Sequence, residues 1–437
     1  VKKTQKILRN NMEREVGPIL EKINRKEATV LTSQEVCDII DAGDDVGFGD
    51  VDVVTAATRA IMSGTYAVLS FPVKTGEKFT RASAVTINGV DSHVGPCPNE
   101  RLGILDLMVF GTAHSHDREN YGGGHLFRDI VEGNPVDVDV VTDEGKKYSD
   151  TVSIEDMPYA RLFATRHAFK NYSAFVNFSP STVSTIFHAT TFAPDATEAT
   201  LSGCGQINPV KNDPQLHGIG VGSRILLNGA EGFILGSGTR SSPEKPNLIA
   251  TADMHSMEAD YMGGFATSAG PECIVSWAVA VPVVDDSVFD AIRQTDGKIP
   301  LPVMDADRRV KVAITSYADA WKDVDIEVAF NPGKCRGCDV CEPMKKCPME
   351  SIYFNGDKVV LNRHTCFNCG LCSTLCSDVF RADLGSLKFD YEGKNMDVPI
   401  VVRQSDRKRA LIMAEKLRDS IKDGTFILNG MVERISP

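Results

Sequence analysis

Cys335-Arg-Gly-Cys338-Asp-Val-Cys341-Glu-Pro-Met-Lys-Lys-Cys347-Pro348 and, further on, Cys366-Phe-Asn-Cys369-Gly-Leu-Cys372-Ser-Thr-Leu-Cys376 decide how this chain is read. Eight of its twelve cysteines fall in these 42 residues. Three thiolates at steps of three let one loop wrap three irons of a cubane, and the fourth ligand then comes from the other run. On that rule one cluster takes Cys335, Cys338, Cys341 and Cys376, and the other takes Cys366, Cys369, Cys372 and Cys347. Zinc ribbons use paired Cys-x-x-Cys instead of triplets with a distant fourth cysteine. A disulfide framework needs an oxidising compartment, to which nothing in the chain points.

The expected cofactors are therefore two 4Fe-4S clusters in a small ferredoxin-type domain over residues 328–385. The pattern departs from the usual one twice: five residues separate Cys341 from Cys347, and Ser377 stands where proline often follows the last ligand. Between the runs, Ser351-Ile-Tyr-Phe-Asn-Gly-Asp-Lys-Val-Val-Leu361 predicts a hairpin turning at Asn355-Gly356. Such a module moves electrons singly at low potential. The rest of the chain is thus expected to consume or deliver them.

A length of 437 residues exceeds a single core. The expected division is 1–327, a large catalytic domain, 328–385, the cysteine module, and a strand-helix extension over 386–437. A net charge of -12 argues against a general nucleic-acid surface. No run of about 18 apolar residues predicts a membrane span. The N-terminal segment reads as polar and amphipathic, with no signal peptide. The expected setting is the cytoplasm of an anaerobic cell.

Along the chain, residues 4–26 carry helical spacing (Ile7, Leu8, Met12, Val16, Ile19, Leu20, Ile23). Thr32-x-x-Glu35 is a capping box for a helix over 35–42. Residues 50–55 predict a buried strand and 56–63 a helix. Strands are expected at 66–71, 84–87, 136–141, 174–177, 224–227, 232–235, 273–284 and 310–315, without a βαβ rhythm. The fold class is α+β: a large mixed α/β-rich domain, the small cysteine module, and a helical tail. In the tail a strand at 398–402 precedes a helix capped by Ser405 and stopped by Gly424, with Leu411, Ala414, Leu417 and Ile421 on one face.

Three glycine-rich stretches stand out: Tyr121-Gly-Gly-Gly-His125, Gly218-Ile-Gly-Val-Gly-Ser-Arg224, and residues 229–240 ending in Arg240. In the second, Ser223 occupies the third glycine position of a dinucleotide fingerprint and a strand follows where a helix should open, which argues against a nucleotide site. Outside the module, Cys37 and Cys273 sit in apolar runs and read as core. Cys97, between two prolines, and Cys204, between two glycines, read as loop thiols open to reaction.

Tyr121-Gly-Gly-Gly-His125, Asn171-Tyr172 with Asn177, Gly205-Gln-Ile-Asn-Pro209, Asn212-Asp-Pro214 and Gly218–Arg224 resemble motifs of the archaeal homocysteine biosynthesis (sulfur-incorporation) family over residues 15–320. The directly fused ferredoxin, without a CBS pair, is similar to the methanogenesis marker protein 16 branch. The resemblance implies conversion of a small anionic aldehyde to a thiol, with a sulfide or persulfide donor and a low-potential electron donor as partners, and a homo-oligomer as one assembly. For the marker 16 branch the implied substrate is sulfoacetaldehyde, giving coenzyme M. For the homocysteine branch it is aspartate semialdehyde. An electron-transfer or assembly protein for a methanogenic metalloenzyme is the non-enzymatic alternative.

The stretches matching that branch's reactive cysteines, residues 60–64 and 141–146, carry none here. Cys204 is thus expected as the sulfur carrier and Cys97 as a relaying thiol, unless free sulfide serves. Gly122, Gly123 and Gly124 are expected to form an oxyanion pocket with His125 as proton donor. Arg224 and Arg240 are expected to bind the substrate's anionic end.

Overall fold

The computed structural model describes residues 13–74, 81–95, 103–167 and 171–436. It is a mixed α/β protein with large sheets and few helices. One sheet of fourteen strands carries most of the core. It opens with Val30–Thr32 parallel to Val53–Ile61, and continues antiparallel through Gly270–Pro282, Arg224–Leu227 and Ala230–Ser237 toward Lys147–Val152.

Val53–Ile61 lies where a helix was expected over 56–63. Its first eight residues are all buried, so the in-out alternation that marks a strand is missing. The alanines make room: the helix Arg407–Asp423 lies directly across this strand and Gly270–Pro282, and Thr55 Oγ1 donates to Ala414 O at 2.9 Å. Ala410, Met413, Ala414, Leu417 and Ile421 are the buried apolar positions of that helix, and Arg407 at its start is buried too. It is capped by Asp406, whose carboxylate accepts from the Arg409 N–H, and not by Ser405; Gly424 ends it at φ 81°.

The remaining expected strands of the large domain are present within a few residues of their expected ends. The capping box forms at Thr32 and Glu35, opening a helix over Ser33–Asp41. At the N-terminus the helix is Val16–Asn24; Ile7, Leu8 and Met12 lie outside the described residues. No helix among the described residues is long and apolar enough to cross a membrane.

A second sheet of six strands runs Lys311–Ser316, Pro300–Asp305, Ala174–Val176, Ala199–Leu201, Lys394–Arg403 and Ser386–Tyr391. Its last two strands come from beyond the cysteine module. The chain therefore leaves the body near residue 328, builds the module, and returns to complete the second sheet and to lay the helix Arg407–Asp423 across the first. Within the module each cysteine run carries a short helix, Glu342–Lys346 or Leu371–Leu375, and the hairpin Ile352–Asn355/Lys358–Leu361 separates them.

Candidate active site where the cysteine module meets the two sheets

The two cysteine sets differ in surroundings. Cys347, Cys366, Cys369 and Cys372, here the inner quartet, line one cavity with Val328, Phe367 and Leu371. Among the described residues no three His, Cys, Asp or Glu are arranged to hold a single metal ion. Four cysteines drawn from the two runs onto one cavity are the donor set that an iron-sulfur cluster takes. Burial pushes the Cys366 thiol up to about 11 and raises Cys347, Cys369 and Cys372. Thiolates here need a compensating cation. Of the outer quartet, Cys338 is exposed, and Cys335, Cys341 and Cys376 are half-buried.

The inner quartet is seated on the body. Phe265 and Ile274 of the large sheet and Val402 of the second sheet pack with Met349, Phe367 and Leu371. Backbone bonds fasten the seat: Ala266 N donates to Pro348 O at 2.8 Å and Arg403 N to Cys369 O at 2.8 Å. Directly behind it, Arg59 Nη1 donates to Asp406 Oδ2 at 2.8 Å, both side chains fully buried. Asn368 Nδ2 reaches Asp406 Oδ1 at 3.3 Å, and the Arg59 guanidinium lies 4.8 Å over the Phe367 ring.

Cys204, in the loop after Ala199–Leu201, lies against Thr58 and Arg59 of the strand Val53–Ile61. It is wholly buried, a correction to its expected openness. Its Sγ accepts from Thr58 Oγ1 at 3.4 Å and from the Arg59 backbone N–H. Burial raises its pKa, and those two donors oppose the rise. The loop around it is tightly fixed. Gly203 N donates to Ser405 Oγ, Trp321 Nε1 to Gly203 O, and Gln206 N to Asp296 Oδ1. Asp296 in turn accepts from Arg407 Nη1 at 2.6 Å. The flanking glycines are explained by approach as well as by φ: a Cβ on Gly203 would stand 2.3 Å from Tyr317 Oη, and one on Gly205 2.1 Å from Asp296 Oδ1. Tyr317, fully buried near Cys204, has its pKa raised by burial.

The other expected site residues lie elsewhere. Gly122–Gly124 form no open oxyanion pocket. Their N–H groups donate to His125 Nδ1, Ala113 O and Gly111 O. The glycines permit a close crossing instead: a Cβ on Gly123 would stand 2.0 Å from Phe110 O. His125 is half-buried and stacked on Tyr121; desolvation lowers its pKa to about 4, so it is neutral at pH 7, and its Nδ1 accepts from the Gly122 N–H and caps the loop. Arg224 pairs with Glu231 and lies over Phe426, and the exposed Arg240 offers its carbonyl to Asn247. None of these partners belongs to the Cys204 loop or the cysteine module. Cys97 lies outside the described residues.

Sequence reasoning passed over Arg59, Asp406, Asp296, Arg407 and Lys211. Lys211 follows the Cys204 loop, approaches Cys37 and Asp296, and has its pKa lowered to about 8 by burial. A signal for Arg59 was present: a lone arginine in a nine-residue run of small and apolar residues must be paired if buried.

Comparison with known proteins bears on this junction. An uncharacterised protein of Methanothermobacter thermautotrophicus is 40% identical over 96% of this chain and 95% of its own length. One of Methanocaldococcus jannaschii is 39% identical over 92% of this chain and 99% of its own. An L-aspartate semialdehyde sulfurtransferase of M. jannaschii is 26% identical over 69% of this chain and 61% of its own length. Fifty residues, 11% of the chain, are 42% identical to an uncharacterised ferredoxin of M. jannaschii, covering 81% of it. No solved structure matches. The class is that of enzymes that incorporate sulfur. The chain belongs to the family described as homocysteine biosynthesis enzyme, sulfur-incorporation, which matches residues 28–428.

Proposed function

We propose that this protein converts a small anionic aldehyde to a thiol by reductive sulfur insertion, with aspartate semialdehyde as substrate and homocysteine as product. The balance is one aldehyde, one hydrogen sulfide, two electrons and two protons giving one thiol and one water. The carbon–oxygen double bond is lost, a carbon–sulfur single bond forms, and the aldehyde oxygen leaves as the water. The observation that carries the reading is the strand edge Thr58–Arg59, which touches Cys204 on one side and the seat of the inner cysteine quartet on the other. The name of the relative that is 26% identical favours the aspartate semialdehyde substrate.

In this reading residues 1–327 bind and transform the substrate, 328–385 carry electrons, and 386–437 tie the two together. Cys347, Cys366, Cys369 and Cys372 hold one 4Fe-4S cluster, and Cys335, Cys338, Cys341 and Cys376 a second. When bound, these clusters supply the electrons one at a time. Cys204 carries the sulfur as a persulfide loaded from a persulfide donor, and breaking its S–S bond takes two further electrons and two protons, four of each in all per thiol. The Thr58 hydroxyl and the Arg59 N–H hold it in a site closed to water, which protects a reactive sulfur from solvent. The Arg407–Asp296 pair fixes the loop's position. A sulfide or persulfide donor and a low-potential electron donor are the partners.

A second reading has sulfoacetaldehyde as substrate and coenzyme M as product. One observation favours it: M. jannaschii has both a 39% identical relative and the 26% identical aspartate semialdehyde sulfurtransferase, two related sequences in one organism. The test is anaerobic. The reconstituted protein receives sulfide, a low-potential reductant and each aldehyde separately, and thiols are read by mass spectrometry. Homocysteine alone supports the first reading, and coenzyme M alone supports the second. No thiol from either, with reducible clusters, sinks both and favours an electron-transfer or assembly protein.

A further inference from the structure

Arg59 is the residue that meets both halves of the junction, its backbone at Cys204 and its guanidinium against the inner quartet's loop. Nη1 is held by Asp406, while Nε and Nη2 are buried with no hydrogen-bond partner. Two more guanidiniums close on the same loop: Arg409 Nη1 donates to Cys366 O, and Arg128 Nη1 to His364 O at 3.4 Å. The carboxylates paired with these three are Asp406, shared by Arg59 and Arg409, and Glu132, bound by Arg128. Asp406 thus serves two guanidiniums; the buried Glu272, opposite Phe265 in the sheet register, and the buried Arg403, whose backbone N–H donates to Cys369 O, are the further charges at the seat. His364 faces Asp260, and Arg363 and Lys408 face Glu327, so the charges next outward are matched or cationic. Among the described residues the outer quartet has no buried guanidinium collar: Cys338 is exposed to water, and the neighbouring Arg336 pairs with Asp378 at the surface.

We propose that this buried guanidinium collar, with Arg59 at its centre, holds the inner cluster at a higher reduction potential than the outer one, so that electrons run inward toward Cys204. The inference rests on the two-cluster reading of the cysteine module. Reduction adds one electron to a cluster already surrounded by thiolates, so a nearby fixed cation favours the reduced form and raises the potential. Complete burial leaves that charge unscreened by salt and water. Arg59 keeps its proton at neutral pH: burial lowers its pKa to about 10, against the pull of Asp406. Arg59 is thus a positioning residue for charge rather than a group that touches substrate.

The test is an EPR-monitored reductive titration of the full-length protein, reconstituted with iron and sulfide, using dithionite as the one-electron source. The inner wave is the one lost in Cys369→Ser. Arg59→Gln is expected to lower the inner midpoint by about a tenfold change in the oxidised-to-reduced ratio, about 59 mV for one electron, and to leave the outer wave in place. Arg59→Lys restores most of the shift, and Asp406→Asn moves the inner wave upward. An inner wave that stays put in Arg59→Gln, or two waves that shift equally, overturns the assignment. If Arg59→Gln does not fold, Asp406→Asn decides alone, and an unmoved inner wave there overturns it. A single wave in the unaltered protein overturns the two-cluster reading itself, and the assignment with it.

Discussion

The inner and outer cysteine quartets are near copies in sequence and opposites in setting. Each is a Cys-x-x-Cys-x-x-Cys run completed by one cysteine from the other run on the pairing expected from spacing. Yet Cys369 is buried against both sheets and Cys366 in the module's own core, while Cys338 is exposed, as are the apolar Val340 and Met344 of the same run. The difference teaches that spacing encodes a chelating loop and says nothing of direction. Direction comes from what the loop is pressed against: Phe265, Ile274, Val402 and the Arg59–Asp406 pair on one side, and solvent on the other.

The sharpest way to break this contrast is to remove one ligand from each set. Cys369→Ser should abolish thiol formation and markedly lower the thermal midpoint, because metal binding in a buried site is also folding free energy. Cys338→Ser should lose comparable iron with a smaller loss of stability. Equal melting shifts in the two variants would erase the distinction between the quartets. Next comes Cys204→Ser, expected to lower turnover about a thousandfold if it is the sulfur-carrying nucleophile, with both EPR signals unchanged. Full turnover would remove Cys204 from the chemistry. Asp406→Leu should destabilise the fold by about 3–5 kcal/mol in urea melts, because it strands the Arg59 guanidinium in the interior. A loss under about 1 kcal/mol would mean the pair does not anchor the inner seat.

A smaller effect is acid sensitivity. His125 packs against Gly264, next to Phe265 of the inner seat. Its folded pKa of about 4 lies below the usual histidine value, so the unfolded chain takes up the proton first as pH falls. Its contribution is complete above about pH 6.5 and fades toward pH 4, with about 2 kcal/mol lost by pH 5. Denaturant melts at pH 7 and pH 5, with and without His125→Gln, would read this, and identical pH slopes would refute it. The smallest effect belongs to the outer face: Val340→Ser should change stability by less than about 0.5 kcal/mol.

Local features were readable in sequence where a short segment determines them. The hairpin at 352–361, the Thr32–Glu35 capping box and the stop at Gly424 depend on residues a few positions apart. The junction does not. Arg59 and Asp406 are 347 positions apart, and Cys204 is 146 from Thr58. Residues 56–61 read as helix because a strand buried on both faces loses its alternation, and the alanines that admit the helix Arg407–Asp423 are also the best helix formers. The glycines at 122–124 looked like an anion loop, but serve a backbone crossing that only the folded chain reveals.

The points where the chain leaves and rejoins the body lie side by side. Asp325 N donates to Asp383 O at 2.9 Å, and Asp383 N returns a bond to the Asp325 carboxylate at 2.8 Å. In architectural terms the cysteine module is a cassette on a closed neck rather than an appendage on the end of a chain. Touching ends are the geometry in which insertion into a host loop is tolerated. A short linker across that neck would leave the strand Lys394–Arg403 free to complete the second sheet and the helix Arg407–Asp423 free to cover the first. The module can then be exchanged as a unit, with the register of the body unchanged.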